Sequence, residues 1–579
     1  MKYLHKPLPD LNDLSLEEQV AQMVVVRASG YLFDHQIQYP DGEPPNAQLQ
    51  YWLQELAIGG VILSGASAGE LLLRAQQLQD WAKIPLLIAA DVEEGVGQRF
   101  SGATWFPPPM ALGAIASKDF PKAKRYAEQM GAITAQEALA IGINWLLAPV
   151  VDVNNNRHNP VVNVRAFGET PEAVSHLASA FIQGAKQYPV LTTAKHFPGY
   201  GDVATDSHLE LPLLPHSPPR LATVELPPFK AAIAAGVDAI KIAHVLIPAW
   251  DLERPATLSY ALLTELLREC LRFEGLIVAD ALVMGAIANH YGSDEASVMA
   301  IEAGADILLM PQDPKTLIQS VCDAVAEGCL SRERIRASVE RIWKAKGKLI
   351  ENVPVERQKV GEYRNLTEAF NPEPHTQTSR PLFGTSPDTS QHLVCQLAQP
   401  TARTTATTIL QESQKIGGSL PLQLDSFGSS RKRRNLIVVD DIIACDFLEP
   451  NAPAIALPRQ LGYELQLVDP HILPIQEEAS YRPAFPPTLL QLFIRGNPFR
   501  EGAKLTAVAD ALLKKLLKIE SLQALVIYGS PYALEQFLPE LPSKIPYVFS
   551  YGQLPEAQAI ALDVLFSNSV PTPTFTLLF

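Results

Sequence analysis

The sequence predicts an α/β protein, with an N-terminal (β/α)8 TIM barrel followed by a smaller α/β sandwich domain. Three observations carry that expectation. Eight short apolar runs recur in the first part of the 579-residue chain, each the length of a strand buried on both faces. Segments with helical periodicity lie between them. A polar, proline-bearing stretch then separates a second region in which strand and helix patterns alternate again.

The runs are residues 23–27 (MVVVR), 60–64 (GVILS), 86–91 (LLIAAD), 144–149 (NWLLAP), 190–196 (VLTTAKH), 239–244 (AIKIAH), 276–280 (LIVAD) and 306–310 (DILLM). Helical patterns occupy 68–81, 121–141, 171–186, 226–235, 262–271, 295–303 and 314–327, and 341–349 reads as the last barrel helix. Eight strands alternating with helices match a closed parallel barrel, which takes roughly 250 residues and more with insertions. The barrel domain is therefore set at 1–350 and a linker at 351–388, which contains NPEPHTQTSRP.

The remainder, 389–579, alternates runs at 435–439, 463–468, 524–528 and 547–550 with helical patterns at 505–519 and 532–537. That reads as a doubly wound α/β domain. It contains neither Gly-x-Gly-x-x-Gly nor a phosphate-loop motif, so nucleotide binding is unsupported. In YGSPYAL (528–534) a glycine after a strand suits a tight turn, a structural role.

Composition narrows the partners. The net charge is −15, and only 431–434 (RKRR) is strongly basic, which argues against a nucleic-acid partner. No window is long and apolar enough to span a membrane, and the N-terminus lacks the apolar core of a signal peptide. Five cysteines, none in a C-x-x-C pair, fit neither a disulfide framework nor a cysteine zinc site. The expectation is a cytoplasmic protein without metal or cofactor.

Polar residues gather where the strand runs end: Asp91, Asp152, Lys195, His196, His244 and Asp280. Each alone has an ordinary explanation, because an Asp after a strand often caps the next helix. Together they fall on the carboxyl rim of the barrel, where such folds place active sites. Cleaving a glycosidic bond needs two groups flanking the anomeric carbon. Asp280 is placed to be a nucleophile. Asp206-Ser-His208 offers an imidazole beside a carboxylate, a pair that can give and retake a proton near neutral pH. Gly199, Gly201 and Pro198 precede it on a loop able to move.

Four segments resemble glycoside hydrolase family 3, nearest its bacterial β-N-acetylglucosaminidases: LLIAADVEEGVGQRF (86–100), NNRHNPVVNVRAFGETPEAV (155–174), KHFPGYGDVATDSHLELP (195–212) and FEGLIVADALVMGA (273–286). The likeness is strong over roughly residues 10–350. The tail, with YGSPY and YGQLPEAQAIALDVLF, resembles the family's second domain. The resemblance implies Asp280 as nucleophile of a retaining mechanism, His208 as acid/base and Asp206 as its partner. It implies Asp91 as the holder of sugar hydroxyls, with Arg99, Arg165, Lys195 and His196 at further sugar-binding positions. A small carbohydrate, an amino-sugar glycoside or cell-wall fragment, is the implied partner.

The chain also departs from the pattern. Glu93-Glu94-Gly95-Val96-Gly97 stands for the common Glu-Gly-Gly-Arg-Val, Tyr200 for a second His, Ala281 for an Asp, and Lys241 for an apolar residue. A Lys facing into a barrel needs an acidic partner, and Asp280 is one candidate. Four alternatives stay open: a β-glucosidase, a glycoside phosphorylase, a sugar-binding protein with little turnover, and a metal hydrolase using His196, Asp202, Asp206, His208 and His244.

Overall fold

A computed structural model describes residues 6–40, 42–207, 209–351, 396–424, 432–471, 486–496 and 502–566. The expected linker, 351–388, lies outside the described residues except for its first.

The eight apolar runs form eight parallel strands: β1 (Val24–Ser29), β2 (Gly60–Ser64), β3 (Leu87–Ala90), β4 (Trp145–Leu146), β5 (Leu191–Phe197), β6 (Ala239–Ile242), β7 (Leu276–Ala279) and β8 (Ile307–Leu309). They pair in chain order and close through β1 and β8. Burial on both faces explains the unbroken apolar runs: β3, β5, β6 and β7 have no exposed residue. β4 is shorter than its run. Leu147 N still donates to Ala90 O and Thr193 N to Ala148 O, but Pro149 has no N–H to continue the ladder.

The helices start where their capping residues put them. Ser67 accepts from Glu70 N ahead of Ala68–Trp81, and Asp313 accepts from Lys315 N and Thr316 N ahead of Pro314–Ala326. Thr170 and Pro171 open Pro171–Ala185 in the same way. The 262–271 pattern differs from expectation in winding: Ala261–Cys270 is a π-helix, its end marked by Leu271 N donating to Leu266 O.

The second domain is a six-stranded sheet built from β9 (Lys415–Gly417), β10 (Arg433–Val438), β11 (Tyr463–Val468), β12 (Thr488–Ile494), β13 (Leu522–Gly529) and β14 (Tyr547–Ser550). The order is β11-β10-β12-β13-β14-β9, parallel except for β9. Alternate residues face opposite layers. Ile437, Leu489 and Val526 pack with helices Pro453–Gln460 and Pro555–Phe566. Leu436, Leu490 and Leu525 face the other way, where Leu505, Ala509 and Leu513 of helix Gly502–Lys518 join a core continuous with the barrel's. The sheet is doubly wound, as expected.

The two domains are joined by polar contacts. Helix Pro400–Ser413 packs on the barrel helices Met110–Ala116 and Phe120–Ala140. Before it, Ala398 N donates to the buried Glu137 at 2.7 Å, and at its end Lys122 and Tyr126 reach Glu412. Tyr532 of the YGSPY turn donates to Glu169 at 2.6 Å and accepts from Asn154 at 2.7 Å. Gly529 in that turn has φ +117°, which a side chain would strain. Among the described residues, no helix is long and apolar enough to cross a membrane.

Candidate active site

The carboxyl ends of β3, β5, β6 and β7 bring four charged side chains together. Asp91 follows β3, Lys195 lies near the end of β5, Lys241 lies in β6 and Asp280 follows β7. Lys195 is fully buried, and its Nζ lies 2.6 Å from Asp91 Oδ1 and 2.5 Å from Glu93 Oε1. Glu93 in turn receives a two-pronged contact from Arg165, Nε to Oε2 and Nη2 to Oε1, both at 2.7 Å. The planar guanidinium matches the carboxylate plane, so this pair fixes orientation as well as charge. Arg99 is exposed and donates through Nε to the Asp91 carbonyl at 3.1 Å.

Asp280 is met from the adjacent strand by Lys241, Nζ to Oδ1 at 2.9 Å, and its Oδ1 also accepts from Ala281 N at 2.9 Å. Its side chain is 13 % exposed. His244 fixes the next residue, with its Nε2 3.0 Å from Ala281 O. A carbonyl only accepts, so that nitrogen carries the hydrogen.

His196 is held from behind. Its Nδ1 lies 2.9 Å from Asp152 Oδ2, and Asp152 also accepts from His196 N and Tyr200 N. Tyr200, where the family pattern has His, is buried and meets the His196 ring edge-on at 5.1 Å.

Burial raises carboxyl pKa values and lowers those of Lys and His, so the direction of each shift shows what wins. For Asp91 burial is overcome by Lys195, Lys241 and Arg99, and its carboxyl is held at about 2. Glu93 is held well below its usual range, against burial, by Arg165 and Lys195. Asp280 is lowered against burial by Lys241 and then His244. Lys241 is raised, burial being outweighed by Asp280 and Asp91. Asp152 goes the other way: burial pushes it up to about 7. His196 is pushed well down by burial and by Lys241, Arg165 and Lys195. Burial thus favours the uncharged form of both members of the His196–Asp152 pair.

Asp206 is buried on the loop after β5. His208 lies outside the described residues. The loop is tied to the segment that follows Asp280: Ala286 N donates to Ser207 O and Asn289 Nδ2 to Leu209 O, both at 3.3 Å. Its nearer end is held by Asp202, which meets His216 at 2.9 Å and Arg220 at 3.5 Å.

The structure thus gathers Asp91, Arg99, Arg165, Lys195, His196 and Asp280 at one rim, with Asp206 on the loop beside it. Sequence reasoning missed Glu93, the joint between Arg165 and Lys195. It also missed Glu94, which is fully buried, accepts from Trp105 Nε1 at 2.9 Å and is paired with Arg495 of the second domain. The available signal was the departure at 93–97 itself, where a Glu replaces a Gly. Among the described residues, no group of His, Cys, Asp and Glu side chains is arranged to hold a metal ion.

Buried carboxylates and cations on the carboxyl rim of a closed barrel, backed by a doubly wound second domain, define a two-domain TIM-barrel protein with a charged site where such barrels place their active sites. The chain belongs to glycoside hydrolase family 3. Residues 15–345 match the family model "Glycosyl hydrolase family 3 N terminal domain", and 426–567 match "Bacterial Glycosyl hydrolase family 3 C-terminal domain". Beta-hexosaminidase A of Pseudoalteromonas piscicida is 36 % identical over 300 residues, which cover 48 % of this chain and 50 % of that one. A beta-N-acetylglucosaminidase/beta-glucosidase of Cellulomonas fimi is 31 % identical over 311 residues, 52 % of this chain and 54 % of that one. The chain thus spans about half the length of these two relatives. A solved family 3 β-N-acetylglucosaminidase from Paenibacillus sp. str. FPU-7 superposes with a TM-score of 0.72 at 27 % identity, over 96 % of this chain and 97 % of that one.

Proposed function

We propose that this protein is a retaining β-N-acetylhexosaminidase that removes terminal β-linked N-acetylglucosamine. The observation that carries the reading is the ionised Asp280 carboxylate at the end of β7, beside the Asp91–Lys195–Glu93–Arg165 network. Asp91 and Lys195 have the charge to hold sugar hydroxyls as acceptor and donor, with Arg165, Arg99 and His196 around them. Both described hydrogen bonds to Asp280 fall on Oδ1. Oδ2 is then the oxygen that attacks the anomeric carbon and forms the glycosyl-enzyme. His208, assisted by Asp206, protonates the leaving oxygen and afterwards takes the proton from water. The loop ties at Ser207 and Leu209 support this, because they seat the loop against the segment that carries Asp280. The mechanism calls for no metal or cofactor.

The relatives' names favour the amino sugar, and one of them couples it with glucose. The substrate would be a small amino-sugar glycoside or cell-wall fragment met in the cytoplasm. The domains are taken as 1–350 and 389–579 with a linker at 351–388, a division that limited proteolysis checks. The deciding experiment compares 4-nitrophenyl β-glycosides of N-acetylglucosamine and glucose. Higher kcat/KM on N-acetylglucosamine supports the reading. Preference for glucose replaces it with a β-glucosidase, and no turnover of either replaces it with a sugar-binding protein. A second reading, phosphorolysis, rests on the His acid/base, which is uncharged as base and does not repel phosphate. Release of sugar 1-phosphate on adding inorganic phosphate would identify it.

A further inference from the structure

Among the described contacts between the second domain and the barrel, three lie beside residues of the charged rim. Arg495, just past β12, pairs with Glu94, the neighbour of Glu93. Ser530 Oγ donates to Asn163 Oδ1 at 3.3 Å, two residues before Arg165. Gly496 presses on the same Asn163: a Cβ there would sit 2.5 Å from its Nδ2, and the φ of +73° favours glycine as well. Tyr532 bonds Asn154, two residues after Asp152. Glu93 and Arg165 grip each other from the loops after β3 and β4, and the second domain holds both loops at adjoining positions.

The Glu94 contact is the strongest of the three. Its carboxylate is fully buried, and Trp105 Nε1 fills Oε2. Its backbone is fixed too, with N donating to Gln98 and O accepting from Phe106. A buried carboxylate without a cation is costly, and Arg495 is the cation supplied. Where family members carry glycine at position 94, no such partner is needed. Arg495 also lines a cavity of about 410 Å3 with Trp105 and Asp440, and its side chain is 28 % exposed. Packing alone therefore does not hold it over Glu94.

We propose that Arg495 is a positioning residue: by clasping Glu94 it sets the loop after β3, so that Glu93 aligns Lys195 and Arg165 for the sugar. The second domain thereby acts on sugar binding without touching the sugar. This rests on the proposed glycosidase reading for the rim.

The test uses the full chain. R495M is expected to raise KM for 4-nitrophenyl N-acetyl-β-glucosaminide about tenfold while kcat stays within about threefold, with R495K recovering part of the loss. E94Q, which keeps the acceptor for Trp105, gives the same split if R495M fails to fold. R157Q, which breaks the exposed Arg157–Glu535 pair elsewhere on the domain junction, leaves KM unchanged. An R495M enzyme with wild-type KM but a lower Tm would make the pair a structural clamp only and overturn the proposal. Hydrogen exchange separates this from failure of the functional reading. If the wild type turns over no glycoside, faster amide exchange at 93–106 and 159–165 in R495M still supports the alignment, and unchanged exchange refutes it.

Discussion

Lys241 Nζ lies 2.9 Å from Asp280 Oδ1, across the neighbouring strands β6 and β7. A buried ammonium beside the candidate nucleophile holds that carboxyl below its ordinary pKa against burial, which acts to raise it. Replacing Asp280 by Asn removes the proposed attacking oxygen with little change of shape. Its kcat should fall about a thousandfold or more at unchanged Tm. Near-normal turnover in D280N would remove Asp280 from the mechanism.

The same pair predicts a pH effect. Asp280 has a folded pKa below its ordinary value, so the wild-type acid limb of kcat/KM lies below the usual carboxylate range. K241M takes away the cation and leaves the burial. The acid limb should then move upward by about 1 pH unit or more. Superimposable acid limbs would mean that Lys241 does not set the state of Asp280.

Glu93 ties two cations together, and E93Q unties them. Breaking one partner out of a buried ion pair costs about 3 kcal/mol or more. Urea denaturation should show that loss, accompanied by a raised KM. Wild-type stability in E93Q would mean that Asp91 alone suffices for Lys195.

The proposed proton-donor role of His208 is tested through the leaving group. H208A should slow hydrolysis strongly for poorly acidic phenols and weakly for 2,4-dinitrophenol, which departs without help. Equal losses across the phenol series would exclude an acid role.

Asp152 gives a stability test. Its folded carboxyl is raised to about 7, above the ordinary value of about 3.9. A raised folded pKa means that this group's contribution is complete below about pH 4 and is lost as pH climbs through 7. The Tm of D152N relative to wild type should therefore rise between pH 4 and 7. Parallel Tm curves would contradict the shift.

The barrel was legible because parallel strands buried on both faces leave continuous apolar runs, and eight of them stand in order. The second domain was legible only in part. β12 carries Gln491 at its centre, a polar residue satisfied inside the fold by Asn435 and the Ala454 carbonyl. β9 is three residues long with an exposed Ile416, too short for any pattern. At the rim, Asp91, Lys195, His196 and Asp280 stood out because strand ends are visible in a sequence. Glu93 and Glu94 did not. Their partners Arg165 and Arg495 lie 72 and 401 residues away, and only the closed fold brings those charges together.

Helix Pro400–Ser413 and the Ala398 N–H bonded to Glu137 sit on the far side of the linker from the barrel they cover. A chain cut within 352–395 keeps that cover only if the later fragment stays bound. A chain ending at residue 350 would expose the apolar flank of Met110–Ala116 and leave Glu137 with Thr104 as its remaining described partner. Such a truncated barrel would be a sticky particle, prone to self-association, so the natural stopping point for expressing the barrel alone lies beyond Gln414 and not at the end of the last barrel helix.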